Sequence, residues 1–172
     1  MKKVAIIGAG ISGLFIANLF KKNSNYQITV YEKNSSINLD EGYGIQLSVN
    51  SVKLLNLIGF YKFKNNKKFN PDKINFHSIK YSEKICDLNI SDFNSEDCKY
   101  TTLRRSDLID FLKKDLKSSI KINYCISDID QRNQKIKLTF ENNETFECDL
   151  LIISDGVFSK SKNLISNNPT QP

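Results

Sequence analysis

The segment VAIIGAGISGLFIANLF, residues 4–20, decides the fold. Its first four residues form an apolar, mostly β-branched run that is typical of a buried parallel strand and that ends at Gly8. From Ile11 onward the apolar residues recur at helical spacing instead. The sequence therefore predicts a strand, a glycine turn and a helix that ends near Lys22.

The turn carries the pattern GxGxxG at Gly8, Gly10 and Gly13, followed 19 residues later by Glu32 at the end of a second predicted strand, QITVYE. In such a βαβ unit the first glycine permits the tight turn and the second lets a diphosphate approach the backbone. The third allows the helix to pack closely on the strand. A structural turn that binds no ligand is the alternative interpretation.

The first turn of this helix, which includes Ser12, presents free backbone amides and the positive end of the helix dipole to a phosphate. Glu32 is expected to accept a hydrogen bond from a ribose hydroxyl, and we count the adjacent Lys33 among the cofactor-binding residues. Because an acid here repels a 2′-phosphate, the pattern favours the adenosine of FAD or NAD over NADP.

Four stretches, in matching order, extend over nearly the whole chain: VAIIGAGISGL with VYEK, GYGIQLSVNSVKLLNLIGF, RRSDLIDFL and CDLLIISDGVFSKSK. Together they resemble the FAD-dependent aromatic hydroxylases, the single-component flavoprotein monooxygenases of the salicylate, p-hydroxybenzoate and ubiquinone-pathway type. The resemblance implies a Rossmann-like FAD/NAD(P)-binding domain of the α/β class. Such a domain has a central parallel sheet, a β-hairpin (meander) crossover and the start of an inserted substrate-domain sheet.

The same resemblance implies roles for further residues. Asp155 and Gly156 correspond to the family's Asp-Gly pair near the cofactor pyrophosphate and the nicotinamide nucleotide. Arg105 corresponds to the arginine that contacts the flavin phosphate or ribityl chain, and the adjacent Arg104 is an alternative for that role. The planar guanidinium suits bidentate phosphate recognition.

The loop around GYGIQLS corresponds to the part of the family that passes the ribityl chain and the isoalloxazine ring. Gly42 and Gly44 match its glycines, and Ile45 and Gln46 are expected near the ring. A flexible surface turn is the alternative for this loop.

The resemblance also sets the expected domain organisation. Residues 1–172 correspond to an FAD-binding domain that is incomplete at its C-terminal end, and residues 72–102 to the beginning of the substrate-domain sheet. Ser154 stands where the family usually has alanine, and Lys162 where it has arginine. The family's second glycine-aspartate motif does not occur in these 172 residues, so we expect either a fragment or a truncated homologue.

Local patterns predict the remaining elements. They are a helix capped at Asn50-Ser51 and closed at Gly59, a loop over residues 61–72, two antiparallel strands within residues 74–90 that break at 82–84, a helix from Ser106, a strand over 120–124, a hairpin with an Asn-Asn turn near 142–143, a strand over 150–153 and a short final helix over 160–165.

In the intact family, NAD(P)H reduces FAD, and the reduced flavin uses O₂ to hydroxylate a small aromatic, phenol-like substrate. The cofactor supplies the reactive chemistry, so no catalytic side chain is expected within this sequence. Two alternatives remain open. One is an FAD-dependent reductase or dehydrogenase on the same scaffold, and the other is a truncated, non-catalytic nucleotide-binding remnant.

Composition excludes several other classes. The net charge of +6 is spread along the chain without a block of like charges, which argues against nucleic-acid binding. Four cysteines without a CxxC pair and a single histidine, His77, argue against a metal site or a disulfide framework. Reduced thiols indicate a cytoplasmic protein. The glycine-containing N-terminal run argues against export or membrane insertion, and the oligomeric state is not indicated.

Overall fold

The computed structural model describes residues 1–37, 43–132 and 134–165. The chain divides into two compact units. The first combines Met1–Leu39 with Ile109–Pro172, and the second is Asp40–Leu108. Among the described residues, no helix is both long enough and apolar enough to cross a bilayer.

Strands account for most of the regular structure in the described ranges, together with three α-helices and several single 3₁₀ turns. The strands are β1 (Lys2–Ile7), β2 (Tyr26–Glu32), β3 (Gly44–Leu47), β4 (Lys68–Phe69), β5 (Lys73–Ser78), β6 (Glu83–Asn89), β7 (Thr101–Arg104), β8 (Ile120–Ile122), β9 (Ile126–Arg132), β10 (Lys135–Phe140), β11 (Thr145–Cys148) and β12 (Leu150–Ile153). The α-helices are α1 (Ile11–Lys21), α2 (Val49–Asn56) and α3 (Arg105–Lys113).

A four-stranded parallel sheet of order β12-β1-β2-β8 forms the centre of the first unit. In register, Ile7 at the end of β1 lies between Ile153 of β12 and Tyr31 of β2. The carboxyl ends of these three strands therefore meet at one edge of the sheet, where ligands bind in open α/β folds. The predicted strand–helix–strand unit and the strand over residues 150–153 are confirmed.

A three-stranded antiparallel sheet, β11-β10-β9, covers one face of the parallel sheet. The core between them is a cluster of buried apolar side chains: Ala5, Ile7, Tyr31, Leu138, Phe140 and Cys148. Asn143 adopts a positive φ of 65° in the β10–β11 turn, which confirms the predicted Asn-Asn hairpin. The strand β9 was not predicted, because its acidic sequence has weak strand propensity and forms a strand only by pairing with β10.

Helix α1 packs against β1 and β2. The side chain of Asn18 fixes its far end, because its amide nitrogen donates to the carbonyl oxygens of Leu14 at 2.8 Å and Leu112 at 2.7 Å. The helix ends at Lys21, one residue before the predicted boundary. A half-buried amide group that makes both of its N–H hydrogen bonds holds α1 in a defined position.

The second unit contains the antiparallel sheet β3-β7-β4 and the separate hairpin β5-β6. The hairpin confirms the two predicted strands, although the turn lies at residues 79–82 rather than at 82–84. The predicted loop over residues 61–72 is wrong in part, because it contains β4. Strand β7 was also missed, since its four residues are too short to show an alternating pattern.

The predicted cap of α2 at Asn50-Ser51 is wrong. Ser48 is the N-cap, with extended φ and ψ of −63° and 161°, and its hydroxyl accepts from the backbone N–H of Ser51 at 3.4 Å. Gly59 does terminate the helical segment, with a φ of +91°. At the far end of the chain, the expected short helix is a single 3₁₀ turn, Ser161–Leu164.

Candidate nucleotide-binding site

The turn between β1 and α1 requires glycine at its first position. Gly8 has a φ of +100°, and a Cβ there would lie 2.6 Å from the carbonyl oxygen of Ser154. Its N–H donates to the Tyr31 carbonyl at 2.8 Å, which ties the turn to β2. Both the backbone conformation and the space exclude a side chain.

Gly13 is required for a different reason. It lies within α1, and a Cβ there would lie 2.0 Å from the carbonyl oxygen of Gly8 and 2.6 Å from Oγ of Ser154. The first turn of the helix is therefore in direct contact with the glycine turn and with the residue that follows β12. The close packing predicted for this glycine is confirmed.

Gly10 has no such constraint. It is the N-cap of α1 with a φ of −77°, and a Cβ there would meet no atom within 4 Å among the described residues. No side chain caps this helix end and no acid lies in its first turn. The first helical bond is from Leu14 N–H to the Gly10 carbonyl at 3.0 Å. The preceding amides, including that of the exposed Ser12, therefore present a positive helix end to an anion.

The carboxylate of Glu32 lies beside this turn at the end of β2. Its Oε2 accepts from the backbone N–H of Ala9 at 2.9 Å, and its Oε1 accepts from that of Asn34 at 3.0 Å. Each carboxylate oxygen can accept more than one hydrogen bond. Glu32 thus both fixes the glycine turn and retains acceptor capacity for a sugar hydroxyl.

Lys33 follows Glu32 and is exposed. It acts electrostatically on Cys125, in the connection between β8 and β9. Burial and a hydrogen bond with Glu141 raise the pKa of Cys125, while the positive charges of Lys33 and Lys160 oppose that rise. With its pKa raised, Cys125 is a neutral thiol at neutral pH.

Asp155 and Gly156 follow β12 at the same sheet edge as the glycine turn. Gly156 has a φ of +89°, and a Cβ on Gly8 would lie 2.9 Å from the Asp155 Cα. The Asp155 Oδ2 accepts from the hydroxyl of Ser161 at 2.8 Å. Its Oδ1 is buried and has no hydrogen-bond partner in the described part of the chain. A buried acceptor without a donor is costly, so this atom suits a hydroxyl supplied by a ligand.

Ser154 has a structural role that sequence reasoning missed. Its hydroxyl donates to the carbonyl oxygens of Ile7 at 2.9 Å and Gly8 at 3.3 Å. It therefore joins the end of β12 to the glycine turn. The sequence marked Ser154 only as a departure from alanine, and its partners lie some 146 positions away in the chain, so no local signal pointed to this bond.

In the second unit, Gly44 opens β3 and pairs with Arg104 of β7, whereas Ile45 pairs with Leu103. Because alternate strand residues face opposite sides, Gly44 and Ile45 lie on different faces of this sheet. Arg105 is the first residue of α3, and its N–H donates to the Tyr43 carbonyl at 3.2 Å. Gly42 lies outside the described residues.

The first unit thus brings together the three glycines of the turn with Glu32 and Asp155. The second unit brings Gly44 next to Arg104, with Arg105 beginning the following helix. No group of three or more His, Cys, Asp or Glu side chains in the described ranges is placed to hold a metal ion. The arrangement in the first unit fits a dinucleotide, because it offers an uncapped helix end for phosphates beside two carboxylates for hydroxyl groups.

The first unit has a Rossmann-like fold, with a glycine turn of the kind at which dinucleotides bind. In agreement, a family model described as an NAD(P)-binding Rossmann-like domain matches residues 6–39, which include the glycine turn and Glu32.

Over most of its length the chain is similar to flavin monooxygenases. It is 25% identical to 6-hydroxynicotinate 3-monooxygenase of Pseudomonas fluorescens over 161 residues, covering 92% of this chain and 41% of that protein. It is 24% identical to salicylate hydroxylase of Pseudomonas putida over 168 residues, covering 95% of this chain and 38% of that protein. The chain spans between 34% and 43% of the length of the curated relatives it matches.

A similar fold occurs in the solved structure of Klebsiella pneumoniae HpxO complexed with FAD and uric acid. The TM-score is 0.75 at 20% identity, covering 90% of this chain and 39% of that one. At this identity the likeness concerns the fold, and it confirms the predicted Rossmann-like α/β architecture. The curated relatives confirm the resemblance to the FAD-dependent aromatic hydroxylases.

Proposed function

We propose that this chain is the FAD-binding portion of an NAD(P)H- and O₂-dependent flavin monooxygenase that hydroxylates a small aromatic, phenol-like substrate. The observation that carries the proposal is the uncapped N-terminus of α1 at Gly10, with the carboxylate of Glu32 hydrogen-bonded to the same turn. The similarity to 6-hydroxynicotinate 3-monooxygenase and salicylate hydroxylase supports the type of reaction.

Each residue of the first unit has a defined part in this proposal. The amides at residues 11–13 bind the diphosphate, and Gly10 lets it approach the backbone. Glu32 accepts a hydrogen bond from the adenosine ribose. Lys33 follows Glu32 at the carboxyl edge of the parallel sheet. Asp155 accepts at Oδ1 from a cofactor hydroxyl, while Gly156 provides the turn that exposes this edge. FAD supplies the redox and oxygen chemistry when it is bound.

In the second unit, we assign Arg105 to the flavin phosphate or ribityl chain, and Gly44 and Ile45 to the neighbourhood of the ribityl chain and ring. NAD(P)H is the proposed electron donor. The substrate and O₂ belong to the activity of the whole protein, because the chain spans less than half of the relatives' length. The resemblance of the RRSDLIDFL and GYGIQLS segments supports these assignments.

We further propose that residues 72–102 begin the substrate-domain sheet, with the FAD-binding domain forming the rest of residues 1–172. The hairpin β5-β6 exposes large apolar side chains, with Phe76 at 46%, Ile85 at 67% and Leu88 at 42% exposure. A two-stranded hairpin with an uncovered apolar face is marginally stable by itself. Further structure packed on the face that carries Phe76 and Leu88 would bury both side chains.

We place the protein in the cytoplasm. All four cysteines lie within the described ranges and are free thiols, and Cys148 and Cys125 both have raised pKa values, chiefly because of burial. Free thiols are the usual state in a reducing compartment, which is also where NAD(P)H is available.

Titration of the purified chain with FAD, followed by flavin fluorescence and by the visible spectrum, tests the proposal. We expect saturable binding. The variant Glu32→Ala should raise the Kd by about tenfold to a hundredfold, the value of one charge-assisted hydrogen bond of about 1.5–3 kcal/mol. Glu147→Ala removes an exposed acid from β11 in the same unit and serves as the matched control.

A thermal melt of each variant accompanies the titration, because Glu32 also accepts from the amides of Ala9 and Asn34. A folded Glu32→Ala variant with wild-type affinity for FAD would show that Glu32 does not contribute to FAD binding. A folded wild-type chain that is colourless after unbound FAD has been removed, and that shows no saturable change in the titration, would contradict the proposal as a whole and support the non-catalytic alternative.

A further inference from the structure

A pocket of about 220 Å³ lies beside α2 in the second unit. Its walls come from α2 and the turn after it, from β4 and the residue that follows, and from the segment that leads into β7. Thr101 of β7 lines the pocket, and because alternate residues of a strand face opposite sides, this is the sheet face opposite to Arg104. The volume is below the range of about 300–1,000 Å³ for drug-sized ligands, so an occupant must be small.

Asn56 supplies a hydrogen-bond acceptor that the fold leaves unused. Its Oδ1 atom is buried and has no hydrogen-bond partner among the described residues. Its Nδ2 atom donates to the Asp97 carbonyl at 3.0 Å and to the Cys98 Sγ at 3.6 Å. Rotating the amide by 180° would place Oδ1 against the Asp97 carbonyl oxygen, which is also an acceptor. A buried acceptor without a donor is costly, so the pocket suits a ligand that supplies an N–H or O–H.

The neighbouring polar side chains of the wall satisfy one another. Asn70 Nδ2 donates to the Thr101 Oγ1 at 2.9 Å and to the Tyr100 carbonyl at 2.8 Å, and the Thr101 hydroxyl donates to the Lys99 carbonyl at 2.8 Å. All residues that line the pocket lie in the described part of the chain, and Asn56 is the one with a buried side-chain acceptor that has no partner. The need for an external donor is therefore confined to Asn56.

Charges of both signs surround the pocket without neutralising each other. Its walls carry the carboxylates of Glu96 and Asp97 and the ammonium groups of Lys68 and Lys99. Within the described ranges, none of these four side chains forms an ion pair. A simple cation would be repelled by the two lysines and a simple anion by the two acids. A molecule that carries one charge of each sign would be attracted by both pairs.

We propose that this pocket binds a small zwitterion, a free α-amino acid. Its ammonium group donates to the Asn56 Oδ1 and is attracted by the carboxylates of Glu96 and Asp97. Its carboxylate accepts from the ammonium groups of Lys68 and Lys99.

The site goes beyond the proposed FAD function. All of its lining residues belong to the second unit, and none of them is assigned to the cofactor. A chain that failed to bind FAD would still be expected to bind the amino acid, and a chain that failed to bind the amino acid would still be expected to bind FAD. The two proposals therefore fail separately.

The test is a titration of the ¹⁵N-labelled chain with L-alanine, followed by NMR at constant ionic strength and without flavin. We expect saturable shifts at the side-chain amide of Asn56 and at the backbone amides of Asp97 and Thr101, with a Kd of about 1 mM. The amides of the glycine turn in the first unit should not respond, which separates this site from the dinucleotide site.

Three analogues identify what the pocket recognises. Betaine (N,N,N-trimethylglycine) carries both charges but has no N–H, so it leaves the Asn56 Oδ1 without a donor. It should bind at least about tenfold more weakly than L-alanine. Acetate and methylammonium carry one charge each, and both should bind more weakly than L-alanine.

Variants separate a built site from general charge attraction. Glu96→Gln and Lys99→Gln each remove one exposed charge from the wall and should raise the Kd by about twofold to fivefold. The matched controls Glu83→Gln in β6 and Lys53→Gln in α2 remove exposed charges elsewhere in the unit and should leave the Kd unchanged. Asn56→Leu should raise the Kd by about tenfold or more.

The ¹⁵N spectrum shows whether Asn56→Leu folds, and the betaine comparison tests the same hydrogen bond in the wild-type chain if it does not. The proposal is overturned if the shifts with L-alanine do not saturate, or if betaine, acetate or methylammonium binds as tightly as L-alanine. Equal weakening in the two control variants would also overturn it, because general charge attraction would then account for the binding.

Discussion

Two pairs of glycines in this molecule differ in what requires them. At Gly8 and Gly13 the protein itself leaves no room, since a Cβ would lie within 2.6 Å and 2.0 Å of neighbouring backbone oxygens. At Gly10 and Gly44 a Cβ would meet nothing, or only an ordinary contact at 3.9 Å. The first pair is therefore explained by folding, and for the second pair folding gives no reason for glycine, which agrees with the proposed cofactor-binding role.

The largest effect is expected for Gly13→Ala. The new methyl group would overlap the Gly8 carbonyl, so α1 must move away from the turn. The free energy of unfolding should fall by more than about 4 kcal/mol, the range of severe packing defects. Urea denaturation of the variant measures this, with Ala17→Gly as a control within the same helix. Ala17 is buried, so we expect a smaller loss of about 1–2 kcal/mol from helix propensity and the removed methyl group. A Gly13→Ala chain of wild-type stability would contradict the close packing.

Gly10→Ala should show the reverse behaviour. With open space around the new Cβ, stability should change by less than about 1 kcal/mol, as for other changes at a helix N-cap. The Kd for FAD should nevertheless rise by about tenfold, because the methyl group prevents the diphosphate from approaching the amides. Isothermal titration together with a thermal melt separates the two quantities. If the folded variant bound FAD with unaltered affinity, Gly10 would not be needed for the approach of the diphosphate.

Ser154→Ala tests the close packing around Gly8 and Gly13. It removes the hydroxyl bonds to the carbonyls of Ile7 and Gly8, although the backbone N–H of Ser154 still donates to Ile7 at 2.8 Å. We expect a loss of about 1 kcal/mol in the free energy of unfolding. Ser127→Ala, which removes an exposed hydroxyl bond to Thr139 at 3.1 Å, should cost less. Equal losses in the two variants would argue against a specific role for Ser154.

The smallest effect concerns Asp149, which precedes β12. An ion pair with Lys135 and a bond from the Lys3 N–H at 2.7 Å lower the pKa of this carboxyl. Because the folded-state pKa is depressed, the stabilisation is present above the usual aspartate pKa of about 3.9 and is lost as the pH falls through the folded value.

Asp149→Asn should therefore melt at a lower temperature than the wild type near pH 7, and the difference should disappear as the pH falls from about 4 through the depressed folded-state pKa. Asp128→Asn, a change at an exposed acid of β9, is the control. A difference in melting temperature that persists unchanged at low pH would show that the carboxylate charge is not its cause.

The constraints at Gly8 and Gly13 were predictable from sequence. A buried strand, three glycines and a helix occupy consecutive positions there, so the constraints are local. Gly10 belongs to the same local pattern, whereas Gly44 was predictable only through family resemblance. Its position on the same sheet face as Arg104 could not be predicted, because that depends on β7, whose four residues show no periodic pattern. The strand β9 and the Ser48 cap were missed for similar reasons. Pairing with β10 overrides the weak propensity of β9, and three candidate caps lie within four residues.

Bonds between distant segments were also out of reach. The contacts of Ser154 with the glycine turn, and of Ser161 with Asp155, depend on how the Asp-Gly segment lies after β12. The sequence showed which residues end the strands, and parallel topology placed those ends at one edge. It carried no information on which hydroxyl meets which carbonyl.

The central claim is that the amides at the start of α1 bind the diphosphate of FAD beside Glu32. A ¹⁵N-NMR titration of the chain with FAD tests it most directly. The account predicts saturable shifts at the amides of Ile11, Ser12 and Gly13, with Ala9 responding through its bond to Glu32. Saturable binding that leaves these four amides unperturbed would contradict it.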